Sequence, residues 1–225
     1  MTTEELLSTN LAIHGKMGSG KSTVSSVLRS IGMQVVSLAD PIKALADYMW
    51  RGDRKIAQAF CHKLNPKGIL GSNPAYLMLA AVYDRHKDEI NGNDKPRAFM
   101  QELGDGFRAL NQNMFVDHML DMYAEDAIRG GLVCDDIRFR HEADRLWSHI
   151  SMDCKKWKMV KLECDEETRM ERIRERLGHE PDYRSLVHIS EIDLDDYEKF
   201  DYHIRTDGPA NEIENAVRKG LGLKG

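Results

Sequence analysis

The sequence predicts an α/β fold, a parallel sheet of about five strands covered by helices on both faces. Three observations predict it. Short apolar runs alternate with amphipathic helical stretches, the pattern of βαβ units whose parallel strands need helical crossovers. The first apolar run, Leu11-Ala12-Ile13, passes straight into a glycine-rich turn that opens a helix. The chain has 225 residues, enough for one α/β domain carrying an insertion.

The glycine turn is Gly15-Lys16-Met17-Gly18-Ser19-Gly20-Lys21-Ser22-Thr23, and it matches G-x-x-x-x-G-K-[ST] in full. Ordinary residue frequencies give such a match about once per hundred chains of this length. Val24, Val27, Leu28 and Ile31 then mark one helical face, and Gly32 stands where a left-handed cap belongs. Strand, glycine loop and helix together predict the P-loop NTPase fold. Gly15, Gly18 and Gly20 let backbone N–H groups curl around a polyphosphate, and the helix N-terminus adds positive potential. Ser19 and Thr23 complete the cradle. Lys21 reaches the β- and γ-phosphates, and the Ser22 hydroxyl is placed to ligate Mg²⁺.

The next element is a second strand over 34–39. It ends at Asp40-Pro41, where Asp40 caps a helix that turns Ile42, Leu45, Ala46 and Met49 inward. Asp40 thereby falls at a strand end, where α/β sheets bind ligands. Residues 1–50 and 130–225 are read as the core, and about 51–129 as a helical insertion. The insertion holds turn clusters at 65–68 and 71–74, a helix between 74 and 90, and a helix from Arg97 that sets Arg97, Gln101 and Arg108 on a similar side. A further helix spans 114–129, its methionines serving as core filler.

Gly131-Leu132-Val133-Cys134 runs into the acid pair Asp135-Asp136, followed by Arg138. An acid at the end of such a strand commonly anchors Mg²⁺ in P-loop proteins, so Ser22 and Asp136 are the expected metal anchors, with the division of metal and acceptor roles among Asp40, Asp135 and Asp136 left open. A helix over 140–150 and a strand over 159–164 follow. The helix over 165–177 is rich in both charges, the mark of a solvated helix, but Arg169, Arg172 and Arg176 share one face. Gly178 and Pro181 break it, and the polar segment over about 174–190 is expected to be a lid. A last strand at 202–205, the Asp207-Gly208-Pro209 turn and a helix with Ile213, Ala216, Val217 and Leu221 close the chain.

Thirty-two basic against 37 acidic side chains leave a net charge of −5, which argues against a broad nucleic-acid surface. The four cysteines form no C-x-x-C pair, so scattered reduced thiols in a cytoplasmic protein are expected, and no zinc site. Residues 1–10 are polar and acidic, unlike a signal peptide, and no apolar run approaches 18 residues.

Taken together, the P-loop, Leu38-Ala39-Asp40-Pro41-Ile42-Lys43, the stretch from Arg97 to Gly104 with Arg108, Asp135-Asp136-Ile137-Arg138-Phe139 with Glu142-Ala143, His188 with Ser190-Glu191, and the Asp207-Gly208 turn resemble the phage-type deoxynucleoside monophosphate kinases. The resemblance spans most of the chain outside 51–93. It implies transfer of the ATP γ-phosphoryl group to a deoxynucleoside monophosphate, with ATP and Mg²⁺ as cofactors. Lys21, Asp40, Asp136, Arg138 and Arg172 would form the catalytic set, and Arg169 and Gly208 would join the P-loop around ATP. Asp40, Lys43, Arg97, Gln101, Arg108, Arg138 and Glu142 would hold the acceptor, with Gln101 reading the base edge. The implied partners are small nucleotides, with no nucleic acid and no membrane, for a monomer or homodimer in the cytoplasm, the host's if phage-encoded. Dephospho-coenzyme A kinase and phosphomevalonate kinase share the P-loop and strand-end acids and stand as rival enzymes. A nucleotide-binding switch without turnover is the rival from another class.

Overall fold

The strand that leads into the glycine loop, β1 (Asn10–His14), is buried at every position. A strand covered on both faces reads as an unbroken apolar run, which is what Leu11-Ala12-Ile13 is. The computed structural model describes residues 1–64, 73–90, 97–149, 157–209 and 211–223, apart from the side chains of Arg97 and Ser185. The turn cluster at 65–68 and Cys154 lie outside the described residues.

The chain divides into two compact units, residues 1–38 with 122–225, and residues 39–121. The first holds a five-stranded sheet of order β2-β3-β1-β4-β5 among the described residues, formed by β1 with β2 (Gln34–Val36), β3 (Leu132–Ile137), β4 (Trp157–Glu163) and β5 (Tyr202–Arg205). All four neighbouring pairs are parallel. The fold class is therefore α/β with a five-stranded parallel sheet flanked by helices. β1 sits at the centre, so the loop leaving its C-terminal end occupies the place where such sheets bind ligands.

Helices α1 (Thr3–Leu7) and α2 (Lys21–Ile31) flank β1 in sequence. The composition of the N-terminus hides α1, but a capping box declares it: the Thr2 hydroxyl accepts from the Glu5 N–H while the Glu5 carboxylate accepts from the Thr2 N–H. Gly32 caps α2 at φ 104°, as its position predicts. Leu6, Leu11, Ile13, Val24, Leu28 and Val160 pack with Ile213 and Val217 into one cluster. Each such side chain contributes about 1.5–3 kcal/mol on burial. Buried Asn10 registers the sheet, since its amide donates to Ala127 O at 2.8 Å and its carbonyl accepts from Leu132 N at 3.2 Å.

The stretch over 114–129 breaks into α7 (Met114–Met122) and α8 (Ala124–Arg129). The first unit continues through α9 (Arg140–Trp147), α10 (Glu166–Leu177), two single turns, α11 (Tyr183–Leu186) and α12 (Ile189–Ile192), and closes with α13 (Ile213–Gly220).

The second unit is helical among its described residues: α3 (Asp40–Trp50), α4 (Arg54–Leu64), α5 (Pro74–His86) and α6 (Arg97–Leu110), followed by most of α7. The sequence reads residues 40–50 with the core strands, whereas by its packing α3 falls in this unit. Helix α6 runs unbroken through Gly104 and Gly106, each costing about 1 kcal/mol relative to alanine in a helix. Close packing explains Gly106, where a Cβ would lie 2.6 Å from Met78 Sδ on α5.

Candidate phosphate-binding site

The loop between β1 and α2 has the geometry its glycines predict. Gly18 and Gly20 lie in the left-handed region at φ 81° and 82°, which side chains rarely adopt. Packing adds to this at Gly18, where a Cβ would meet Arg169 O at 2.6 Å. The Lys21 ammonium folds back onto the loop, donating to the carbonyls of Gly15 and Lys16. Ser19 is buried, and its hydroxyl has no hydrogen-bond partner among the described residues. The loop is pinned from behind, because the Thr206 hydroxyl, just past β5, donates to Ser19 O at 2.8 Å. Ser22 and Thr23 line a cleft of about 180 Å³ with Gly18, Gly20, Arg172, Arg176 and Ile213.

His14 closes β1 directly beneath this loop. Its Nδ1 lies 3.1 Å from Ile137 O. A carbonyl only accepts, so Nδ1 carries the proton and the ring is the neutral Nδ1–H tautomer. Burial pushes its pKa down to about 4. The Ile137 hydrogen bond opposes that shift, and the charges of Lys21, Lys161 and Arg138 reinforce it.

The two acids of β3 separate. Asp135 accepts a hydrogen bond from Ser25 Oγ at 2.8 Å, one turn along α2 from Ser22. Asp136 is buried, accepting from Ser37 Oγ at 2.7 Å and from the Leu38 N–H at 2.6 Å. The expectation for Asp136 as metal anchor therefore meets a carboxylate both of whose oxygens already hold the turn after β2. The acids also lie within the strand, which runs on to Ile137, and not beyond its end. Among the described residues no three His, Cys, Asp or Glu side chains cluster as a metal site. Asp135, the Ser25 it holds and the Ser22 hydroxyl suit Mg²⁺, which takes one or two protein groups and fills its octahedron with phosphate oxygens and water.

Among the described residues of this unit, four arginines lie at the loop, at residues that hold it, or at the cleft. Arg169 Nη1 donates to Met17 O at 2.9 Å. Arg172 Nη2 donates to Thr206 O at 2.7 Å and Gly208 O at 2.8 Å, so Gly208 enters through its carbonyl. Arg176, the third arginine on that face, is exposed at the cleft. Arg138 is held at both ends. Its backbone N–H donates to Glu142 Oε2 at 2.9 Å and its Nη1 to Glu191 Oε1 at 2.5 Å. Glu142 also accepts from the Phe139 N–H and is buried at the start of α9. A buried carboxylate that accepts from two backbone N–H groups at a helix start acts as a cap, and that is the role the structure shows for Glu142.

The stretch expected to be a lid covers the end of α10, capped by Gly178 at φ 73°, and the turn α11, where Tyr183 is exposed. Beyond it, Glu191 is 1% exposed and accepts from the Met17 N–H of the loop at 2.7 Å.

In the second unit, Asp40 stands at the first position of α3, with Ala39 as N-cap, and pairs with Lys43 at 2.8 Å on an exposed surface. On α6, the Arg108 guanidinium lies 5.0 Å from the centre of the Phe115 ring. Gly104 makes room for it, since a Cβ there would come within 2.9 Å of Arg108 Nη1. The side-chain nitrogen of Gln101 is buried without a hydrogen-bond partner among the described residues. The side chain of Arg97 lies outside the described residues.

No protein-family model matches the chain, and a search of curated proteins finds no match. Solved structures do resemble it. A gluconokinase from Sinorhizobium meliloti 1021 is 15% identical, with 96% of this chain and 93% of that chain covered at a TM-score of 0.50. TT1252 from Thermus thermophilus is 18% identical, with 95% and 96% covered at a TM-score of 0.48. At such identities the likeness concerns the fold alone. No described helix is long and apolar enough to cross a membrane.

Proposed function

We propose that this protein is a P-loop small-molecule kinase, and that it transfers the γ-phosphoryl group of ATP to a nucleoside monophosphate, the 2′-deoxy form preferred. The observation that carries the kinase reading is the loop itself: left-handed Gly18 and Gly20, Lys21 at its mouth, and Arg138, Arg169 and Arg172 tied to it or to its supports. Phosphoryl transfer asks a protein for position and positive charge more than for covalent chemistry, and this set supplies both.

Lys21 would leave the Gly15 and Lys16 carbonyls for phosphate oxygens. The loop N–H groups and the α2 N-terminus would orient the β- and γ-phosphates. The Ser22 hydroxyl and Asp135 would hold Mg²⁺, which supplies charge neutralisation across the two phosphates when bound. Arg172 and Arg176 would border the nucleotide in the cleft beside Ile213. An acceptor phosphate oxygen attacks the γ-phosphorus, the bond to the β–γ bridging oxygen breaks, and ADP leaves with that electron pair.

The acceptor reading rests on the resemblance to deoxynucleoside monophosphate kinases and on α6. Gln101 has an amide nitrogen without a hydrogen-bond partner among the described residues, and Arg108 a guanidinium suited to bidentate phosphate binding. A site built on hydrogen bonds to a base rejects acceptors that lack them. The test is ADP formation from ATP with each deoxynucleoside and ribonucleoside monophosphate, dephospho-coenzyme A, phosphomevalonate and gluconate. Turnover only with a non-nucleotide acceptor would keep the kinase and discard the nucleotide. ATP binding without acceptor-dependent ADP would leave a switch.

A further inference from the structure

Glu191 makes two contacts that join parts of the site no motif connects. Its Oε2 accepts the Met17 N–H of the phosphate loop at 2.7 Å, and its Oε1 accepts Arg138 Nη1 at 2.5 Å. It is 1% exposed, while the Arg138 side chain keeps 25% of its surface in solvent. We propose that Glu191 is a positioning residue that couples occupancy of the phosphate loop to the orientation of Arg138, an inference that rests on the phosphotransfer reading above.

The physical case begins with charge. A buried carboxylate beside a polyphosphate site opposes the ligand, and it is tolerated only when paired and hydrogen-bonded. Glu191 meets both conditions, but its partners are the loop and an arginine, where a carboxylate serving only the fold needs neither. The single hydrogen of the Met17 amide is committed to Glu191 and so is not offered to phosphate. Any movement of the loop on binding therefore passes to Glu191, and from its other oxygen to Arg138. The main chain from which the Arg138 side chain extends is itself anchored, its backbone N–H held by buried Glu142, so the guanidinium is the part of Arg138 that is left to follow. A guanidinium has five N–H donors, so one bond to Glu191 leaves others for phosphate oxygens while setting the plane in which they point.

Glu191→Gln separates this role from simple anchoring. The amide oxygen still accepts the Met17 N–H, so the tie to the loop survives, while the charge that orients Arg138 is gone. Three quantities are measured on the full chain: affinity for a non-hydrolysable ATP analogue, the Arg138 side-chain N–H signal in NMR with and without that analogue (assigned with Arg138→Lys), and turnover. Expected are unchanged or several-fold tighter analogue binding, an Arg138 signal that responds to the analogue in the parent protein and not in Glu191→Gln, and kcat lowered at least tenfold. Glu191→Gln combined with Arg138→Lys is expected to turn over no more slowly than the slower of the two single variants.

An Arg138 response that persists in Glu191→Gln, multiplying losses in the double variant, or weaker analogue binding with kcat unchanged would each overturn the coupling. If Glu191→Gln fails to fold, Glu191→Asp takes its place, with a side chain one methylene shorter to reach both partners. A parent protein that transfers phosphate to no acceptor removes the kinase reading, and the NMR response then decides the coupling alone.

Discussion

Asp135 and Asp136 are consecutive in β3, yet their carboxylates hold different elements: Asp135 accepts from Ser25 on α2 and Asp136 from Ser37 and the Leu38 N–H after β2. The register against β1 slips at this point. Ala12 pairs with Cys134 and His14 with Ile137, so β3 uses one residue more than β1 over the same span. Such a bulge re-aims side chains beside active sites.

The two acids should fail differently. Asp135→Asn is expected to shift the Mg²⁺ titration of turnover tenfold or more while the melting temperature stays near the parent value. Asp136→Asn loses one of two buried acceptors and is expected to cost about 1–3 kcal/mol of stability. Thermal melts and Mg²⁺ titrations of both variants check this. A shifted Mg²⁺ curve in Asp136→Asn alone would return the metal role to Asp136.

Lys21→Ala is expected to lower turnover by about a thousandfold or more, the scale of losing a charged group at a transferring phosphoryl. Stability should hold, because the bonds that the ammonium donates to the Gly15 and Lys16 carbonyls lie within the loop itself. Turnover and circular dichroism on the purified variant decide it, and near-parent activity would refute the loop's role.

Gly104→Ala tests Arg108 without removing it. The new methyl would displace the guanidinium, the far end of a flexible chain, and press more mildly on Ile42 Cδ1 at 3.3 Å. Helix propensity favours alanine by about 1 kcal/mol, so the melt should change little. The KM for the acceptor is expected to rise several-fold with the KM for ATP unchanged. Equal effects on both would place Arg108 outside the acceptor site.

His14 makes stability depend on pH. Its folded pKa of about 4 lies below the ordinary 6.5, so between those values the unfolded chain binds the extra proton. Stability from this group is complete above pH 6.5 and falls as pH drops toward 4, by up to about 3 kcal/mol. Denaturant melts from pH 7 to 4 should show a shallower decline in His14→Asn than in the parent protein. Equal slopes would show that His14 gains its proton as readily folded as unfolded.

Several features were legible from local pattern alone. The P-loop could be read because all its parts are contiguous and its glycines answer a backbone demand at their own positions. The central strands β1 and β3 could be read because a buried parallel strand shows its burial in its own composition. Arg169, Arg172 and Arg176 could be placed on one face because helical periodicity is a local property. Helix α1 has a local signature too, the capping pair Thr2 and Glu5, beneath a polar N-terminal composition that hides it.

Tertiary structure decided the rest. Which acid of β3 faces α2 depends on a bulge, and a bulge is set by how one strand registers against another. Glu191 lies 174 residues from the Met17 amide it accepts and 53 from Arg138, and no periodicity spans such distances. Sequence determines what each residue can donate, accept or bury. Only the packed chain determines which of those capacities are already used within the fold and which are left for a ligand.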